Sequence, residues 1–302
     1  MQEKAFKVLV IGGPTASGKS GLALSAALQS NGAIINADSM QLYDGLGLLT
    51  AQPSAAEQAQ APHLLYAGLA PDDICSAARW RGLALAAIET ALQQRRLPII
   101  VGGTGFYIKT LVKGISPIPS VPPDVRMGII ARRQEIGTPA LYAELQARDP
   151  AMAAKLEPGN TQRLVRALEV LEATGKSLAE WQELPPAPPP AHLRFVTAAL
   201  LPPREQLYAQ CDKRFGDMLK AGALDEVREF MKTATDDMPL TKALGYGELK
   251  QHLEGALSLA DAAAQAQMAT RRYAKRQVTW FRHQMAADIV LEAPDARKLL
   301  DA

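Results

Sequence analysis

One octapeptide limits the fold of this chain more than anything else in it: GPTASGKS, Gly13–Ser20, a G-x-x-x-x-G-K-[ST] loop. An apolar run, Phe6–Gly12, precedes it and an Ala- and Leu-rich segment, Lys19–Gln29, follows it. Strand before and helix after is the context in which such a loop cradles phosphate. The glycines let the backbone curl so that successive N–H groups face inward, and the helix N-terminus adds its dipole. The whole loop, Gly13, Pro14, Thr15, Ala16, Ser17, Gly18, Lys19 and Ser20, is assigned to a diphosphate. Lys19 supplies a positive charge and Ser20 a hydroxyl ligand for Mg²⁺. Loops of this kind usually serve ATP or GTP, but the chemistry specifies a diphosphate and its metal, not adenosine. The alternative is a glycine-rich turn without a ligand.

The strand–loop–helix pattern then repeats. Ala33–Ala37 and Pro98–Val101 read as buried strands, with the helical segment Trp80–Gln94 between them. This alternation predicts an open parallel α/β sheet of the P-loop NTPase-like kind. Two proline-rich stretches, Ser116–Arg126 and Leu184–His192, interrupt it. Between them the sequence reads only as helix: Val125–Gln134, Pro139–Arg148, Ala151–Leu156, Gln162–Thr174 and Ser177–Glu183. The expected organisation is an α/β core over 1–115 and 191–302 and an all-α insertion domain over 116–190. Strand character returns at Phe195–Leu201, long helices follow at Arg204–Ala221, Ala223–Thr233, Tyr246–Glu254 and Ser258–Gln284, and Asp288–Leu291 reads as a last edge strand.

The net charge of +2 over 302 residues does not by itself declare a nucleic-acid binder, although a local basic patch can. Cys75 and Cys211 lack metal-ligand spacing and argue against a disulfide framework or zinc site. No apolar run approaches the roughly 18–20 residues that span a membrane, and no signal peptide is read at the start, so the expected compartment is the cytoplasm.

In an open α/β sheet, ligands sit beyond the carboxyl ends of the strands. Three such ends are populated: the phosphate loop, Asp38-Ser39-Met40-Gln41, and Gly102–Tyr107. They are expected to converge. An NTPase adds an acid at the end of a buried strand to hold the Mg²⁺ water shell. Pro98–Val101 offers none, which leaves Asp38. The competing role for Asp38 and for Thr104 is a helix cap. Arg271–Arg282 carries Arg271, Arg272, Lys275, Arg276 and Arg282 without an acid, together with Tyr273, Trp280 and Phe281. Such a helix suits a phosphate backbone, or is a solvated helix whose aromatics pack into the core.

The ordered set GPTASGKS (Gly13–Ser20), ADSMQLY (Ala37–Tyr43), TAQP (Thr50–Pro53), APHLL (Ala61–Leu65), GGTGFY (Gly102–Tyr107), QRLVRALEV (Gln162–Val170), RFGDMLKAGALDEV (Arg214–Val227), ALGYGEL (Ala243–Leu249) and YAKRQVTWFR (Tyr273–Arg282) resembles the bacterial tRNA dimethylallyltransferases (tRNA isopentenyltransferases) over nearly the whole chain. The resemblance implies transfer of a dimethylallyl group from dimethylallyl diphosphate to N6 of adenine 37 in tRNA, with release of pyrophosphate, by a monomer. It assigns the diphosphate to the phosphate loop with Mg²⁺ at Ser20, the amine's proton to Asp38, a remote cation to Arg214 and a further hydroxyl contact to Thr104. From the residues alone, Arg214 would read as a solvated helix charge.

By the same resemblance Asp38, Ser39, Met40 and Gln41 contact the tRNA anticodon stem-loop. So do Gln162, Arg163, Leu164, Val165 and Arg166, then Lys242, Gly245 and Tyr246, and finally Lys275, Arg276, Gln277 and Arg282. Thr104 and Arg126 are implied to flank the channel. Reaching N6 requires that the base be extruded from the stacked loop. The chain departs from the family pattern G-M-D-I-G-T-A-K-P at Gly47, Leu49 and Gln52, and has Gly247 where a basic residue is usual. As a chain of the bacterial type it is not expected to carry the zinc finger of eukaryotic members. Free-adenylate isopentenyltransferases, P-loop small-molecule kinases and a non-catalytic RNA-binding module are the competing readings. The helical insertion and basic helix favour tRNA over free nucleotide. Intact Lys19, Ser20, Asp38 and Thr104 favour an enzyme.

Overall fold

A computed structural model describes residues 5–302. The chain divides into two compact units, Met1–Val112 with Pro189–Ala302, and Lys113–Pro188. The first unit contains β1 (Phe6–Gly12), α1 (Lys19–Ser30), β2 (Gly32–Asn36), the short helices α2 (Gly47–Thr50) and α3 (Ala55–Gln58), β3 (His63–Leu64), α4 (Ala77–Gln93), β4 (Leu97–Gly102) and α5 (Gly105–Lys113). The second unit is helical: α6 (Pro123–Arg148), α7 (Pro150–Ala153), α8 (Thr161–Thr174) and α9 (Leu178–Glu183). The chain then returns as β5 (Leu193–Leu200), α10 (Arg204–Lys220), α11 (Ala223–Phe230), α12 (Tyr246–Leu253), α13 (Leu259–Gln284), β6 (Ile289–Leu291) and α14 (Ala296–Leu300).

Among the described residues, six strands form one sheet in the order β3-β2-β4-β1-β5-β6, and every pairing is parallel. A parallel sheet covered on both faces favours strands that are apolar at every position. β1 obeys this: Val8, Leu9, Val10 and Ile11 are all fully buried. Because side chains alternate along a strand, Leu9 and Ile11 enter a core with Leu22, Ala23 and Ala26 of α1 and Leu299 of α14. Val8 and Val10 enter the opposite core, with Trp80 and Ile88 of α4 and Phe281 of α13. The two-residue strand β3 has no signature of its own. His63 and Leu64 simply pair in register with Ile34 and Ile35.

In the helical unit, α6 runs over the two segments expected separately, and Gly137 (φ 79°) breaks it just before Pro139. Its core is Ile129, Leu141 and Leu145 of α6 against Met152, Leu164, Val165 and Leu168. Ala187 N–H donates to Ile115 O at 2.8 Å, closing the two ends of this unit on each other. No helix among the described residues is long and apolar enough to cross a membrane.

Candidate active site

The phosphate loop joins β1, a central strand, to α1. Gly18 has φ 89° and is the N-cap of α1, a left-handed conformation that glycine adopts without strain. The resulting curl leaves the N–H groups of Ala16, Gly18, Lys19 and Ser20 without an acceptor among the described residues. Ser17 Oγ is buried and likewise has no partner. Buried polar atoms are normally paired, so a hydroxyl and several amides left open in one loop fit the oxygens of an anion. Lys19 Nζ donates to Pro14 O at 3.2 Å. Burial lowers its pKa to about 8; Asp38 opposes that shift and Arg214 adds to it. A bound diphosphate would raise that pKa again by stabilising the charged form. Ser20 is exposed and its hydroxyl has no protein partner. Among the described residues no group of three or more His, Cys, Asp or Glu could hold a metal by itself. The Ser20 hydroxyl could supply one ligand to Mg²⁺, an ion that keeps several waters and takes other ligands from substrate phosphates.

The ends of β2 and β4 are joined beside the loop. Ser39 N–H donates to Thr104 Oγ1 at 2.9 Å, Thr104 Oγ1–H to Ser39 Oγ at 3.3 Å, and Thr104 N–H to Ala37 O at 3.1 Å. A side chain at Gly102 would place Cβ 2.1 Å from the Ala37 carbonyl, so only glycine lets the strands approach this closely. Asp38 both caps and faces the site. Its Oδ1 accepts Met40 N–H at 3.1 Å at the start of the 3₁₀ turn Met40–Leu42. Its Oδ2 lies 3.3 Å from where a Gly103 Cβ would be and accepts no hydrogen bond.

Asn36 fixes this carboxylate's backbone. Its Oδ1 accepts Asp38 N–H at 2.7 Å, and its Nδ2 donates to Asp38 O and Leu65 O, each at 3.0 Å. Trp80, stacked on Tyr107, donates its indole N–H to Asn36 O. The sequence reading passed over Asn36. The available signal was a polar residue at the end of an otherwise apolar strand, two before Asp38.

Two helices complete the site. Arg214 of α10 donates through Nη2 to Thr15 Oγ1 at 2.5 Å. Burial lowers its guanidinium pKa, and Cys211 and Asp38 oppose the shift. Arg214 is therefore at the phosphate loop, where the resemblance implies it and composition does not. Gln277 of α13 is only 5% exposed. Its Oε1 accepts Thr15 N–H at 2.8 Å and its Nε2 donates to Gly103 O at 2.9 Å. Gln277 thus ties the phosphate loop to the turn that carries Thr104. Asp38 also raises the phenol pKa values of Tyr66 and Tyr273, in which burial is the larger cause. Tyr66 sits between two left-handed residues, Leu65 (φ 62°) and Ala67 (φ 48°).

Several residues assigned to RNA by resemblance also have contacts within the fold. Gln277 is buried with both ends of its amide bonded inside the unit. Leu164 and Val165 are in the core of the helical unit. Tyr246 is buried edge-on to Phe230. Gly245 turns the chain into α12 at φ 91°, and a Cβ there would lie 2.6 Å from the Phe215 ring. Met40 packs partly buried against the core. Gln41 directs Nε2 to Thr50 O and Ala51 O, so its donors are committed within the protein. The physical reason is common to the helical motifs: a contiguous block covers every face of its helix.

Lys275, Arg276 and Arg282 are exposed on α13, with Arg276 5.4 Å from the Tyr273 ring centre. Arg271 pairs with Asp212 of α10. Lys242 is exposed just before the turn into α12. Gln162 and Arg163 are exposed on α8, while Arg126 and Arg166 are ion-paired to Glu169. In the departed segment, Gln52 donates to Tyr43 O at 2.8 Å, and Glu226 accepts Leu48 and Leu49 N–H, capping α2.

The model of the family described as IPP transferase matches residues 41–284. A tRNA dimethylallyltransferase of Rhodospirillum centenum is 56% identical over 93% of this chain and 90% of its own. One from Paramagnetospirillum magneticum is 50% identical over 96% and 92%. Among solved structures, the full-length tRNA isopentenylpyrophosphate transferase from Bacillus halodurans is 30% identical with a TM-score of 0.69, covering 99% of this chain and 94% of that one. A eukaryotic dimethylallyltransferase acting on tRNA is 27% identical with a TM-score of 0.82, covering 96% and 74%. The chain belongs to the IPP transferase family.

Proposed function

We propose that this enzyme transfers the dimethylallyl group of dimethylallyl diphosphate to N6 of adenine 37 in the anticodon loop of tRNA, releasing pyrophosphate. The observation that carries the reading is the placement of one open carboxylate oxygen, Asp38 Oδ2, beside a phosphate loop in which the Ser17 hydroxyl and the amides of Ala16, Gly18, Lys19 and Ser20 lack partners. The relatives' activity on tRNA supports the acceptor.

The bond between the allylic carbon and the diphosphate oxygen breaks, and its electron pair leaves with pyrophosphate. The N6 nitrogen forms the new C–N bond and gives up a proton. Its lone pair is delocalised into the ring, so a carboxylate that orients the amine and accepts that proton lowers the barrier. Asp38 Oδ2 takes this role while Oδ1 remains on Met40 N–H. Negative charge grows on the leaving diphosphate. Lys19, the loop amides and Arg214, which also holds Thr15, stabilise it in a site already shaped for it. Ser20 would hold Mg²⁺, which when bound supplies further neutralisation of the diphosphate. Thr104 keeps Ser39 and the Asp38 turn in place. The base must leave its stack to reach Asp38, and exposed Lys275, Arg276 and Arg282 present charge to the RNA backbone. The enzyme acts as a monomer in the cytoplasm, a compartment consistent with the free Cys75 and Cys211.

The test is incubation with radiolabelled dimethylallyl diphosphate and either unmodified tRNA or AMP. Label on tRNA is the expected result. Label on AMP alone, or ATP hydrolysis without prenyl transfer, would refute the proposal.

A further inference from the structure

The helical unit contains a buried carboxylate that the reaction does not use. Glu169 of α8 is 1% exposed, yet it faces two arginines whose side chains are 45% and 40% exposed. Arg126 Nη1, from α6, is 3.3 Å from Oε1, and Arg166 Nη1, one turn earlier on α8, donates to Oε2 at 3.4 Å. Oε1 accepts no hydrogen bond. Arg166 hydrogen-bonds Glu169 through one nitrogen, Arg126 pairs with it by charge alone, and neither arginine has another partner among the described residues. Their remaining N–H groups stay available.

A brace that only joined two helices would be served better by apolar packing, because burying a carboxylate is unfavourable unless it is well hydrogen-bonded. This unit already has a separate, partly exposed network for joining its helices, in which Arg132 and Arg148 pair with Glu144 and Glu172. Glu169 does something that network does not. It brings two guanidinium groups from different helices together at one point and offsets their mutual repulsion from beneath. Two guanidinium forks held side by side match the oxygens of a phosphodiester.

We propose that Glu169 is a positioning residue that orients Arg126 and Arg166 into a two-arginine clamp for one phosphate of the RNA backbone. This rests on the tRNA-modifying reading above. The competing role, simple neutralisation, predicts the opposite sign for one substitution. Glu169→Gln keeps the shape and raises the net charge by one. If Glu169 merely neutralises, RNA binding tightens. If it positions, binding weakens by about tenfold, the equivalent of one charge-assisted hydrogen bond.

The experiment measures the dissociation constant of an unmodified tRNA transcript across a salt series, with KM for tRNA and for dimethylallyl diphosphate. Glu169→Gln is expected to weaken binding and raise KM for tRNA while KM for dimethylallyl diphosphate stays put. In an Arg126→Ala, Arg166→Ala background the same substitution should have no further effect. Unchanged or tighter binding, or an equal loss in that background, would overturn the proposal. Arg126→Lys and Arg166→Lys provide a test independent of whether Glu169→Gln folds. They keep the charge and lose the fork, so each should weaken binding; binding like the wild type's would overturn the clamp. Failure of wild-type enzyme to bind or modify tRNA would refute the functional reading itself. A wild-type enzyme that is active while the variants behave contrary to expectation removes only the clamp.

Discussion

Gln277→Ala separates two roles for a residue that lies inside a basic helix yet faces inward. The substitution removes both ends of the bridge between Thr15 N–H and Gly103 O. Each backbone group left without a partner in a buried site costs about 1–3 kcal/mol. The pair together therefore lowers stability by about 2–6 kcal/mol, unless water enters to satisfy one of them. At about 2–4 °C per kcal/mol for a unit of roughly 200 residues, the melting temperature should fall by about 4–24 °C. The catalytic consequence is larger. Thr15 also accepts from Arg214, so the phosphate loop keeps that tether but loses its link to the turn that carries Thr104. A displacement of about 1 Å at reacting groups lowers turnover on the order of 10²-fold.

Steady-state kinetics below the melting range, with filter binding of tRNA across a salt series, reads both effects. The expected outcome is a loss in kcat and in kcat/KM for dimethylallyl diphosphate, with tRNA affinity and its salt slope close to wild type. Gln277→Glu sharpens the test. One carboxylate oxygen can still accept from Thr15, but the other faces the Gly103 carbonyl and adds negative charge beside the diphosphate. Protonation restores a donor, so activity relative to wild type should rise as pH falls. A Gln277→Ala variant with normal turnover but weakened, less salt-dependent tRNA binding would refute the bracing argument and make Gln277 an RNA contact.

Four other substitutions and conditions test the rest of the site. Asp38→Asn keeps an acceptor for Met40 N–H and removes the base, so kcat should fall about 10²- to 10⁴-fold while tRNA affinity holds; an equal loss of tRNA binding would refute a base role. Lys19, with its pKa lowered to about 8, should lose its proton as pH rises through that value, so KM for the prenyl donor should climb above about pH 8, and a flat profile to pH 9.5 would contradict the assigned charge. The sign for stability is opposite, because the unfolded chain holds that proton up to its ordinary pKa of 10.5, so this group's contribution grows between about pH 8 and 10.5. Lys275→Ala with Arg276→Ala should weaken tRNA binding and reduce the salt slope by about 0.7–0.9 per lost phosphate contact, and an unchanged slope would make that face of α13 structural. Gly247 lies exposed in α12 with open space around its Cβ position, so Gly247→Lys should raise stability by about 0.5–1 kcal/mol and steepen the salt slope; a stabilised variant with the same slope would show that this helix end does not meet RNA.

The sheet was legible because its strands are short apolar runs that end in glycine or a polar residue, and three such ends had to meet at one edge. β3 was not, because a two-residue strand is defined by its neighbour, Ile34–Ile35, and not by its own composition. At the site, loop residues and helix residues behaved differently. Lys19, Asp38 and Thr104 lie on turns after strands, where a contiguous motif and a spatial cluster are nearly the same thing. On α13 they are not. Thr270, Ala274, Gln277 and Phe281 are buried at helical spacing, whereas Lys275 and Arg276 beside them are exposed. Each residue advances about 100° around the axis, so a block such as KRQ necessarily spans more than one environment. The same holds on α8, where Arg163 is exposed, Leu164 and Val165 are core, and Glu169 is buried beneath Arg166. Helical periodicity applied within the motif would have separated Gln277 from Lys275. It would not have revealed what Gln277 holds, because Thr15 and Gly103 are remote in sequence and are brought to it only by the folded sheet.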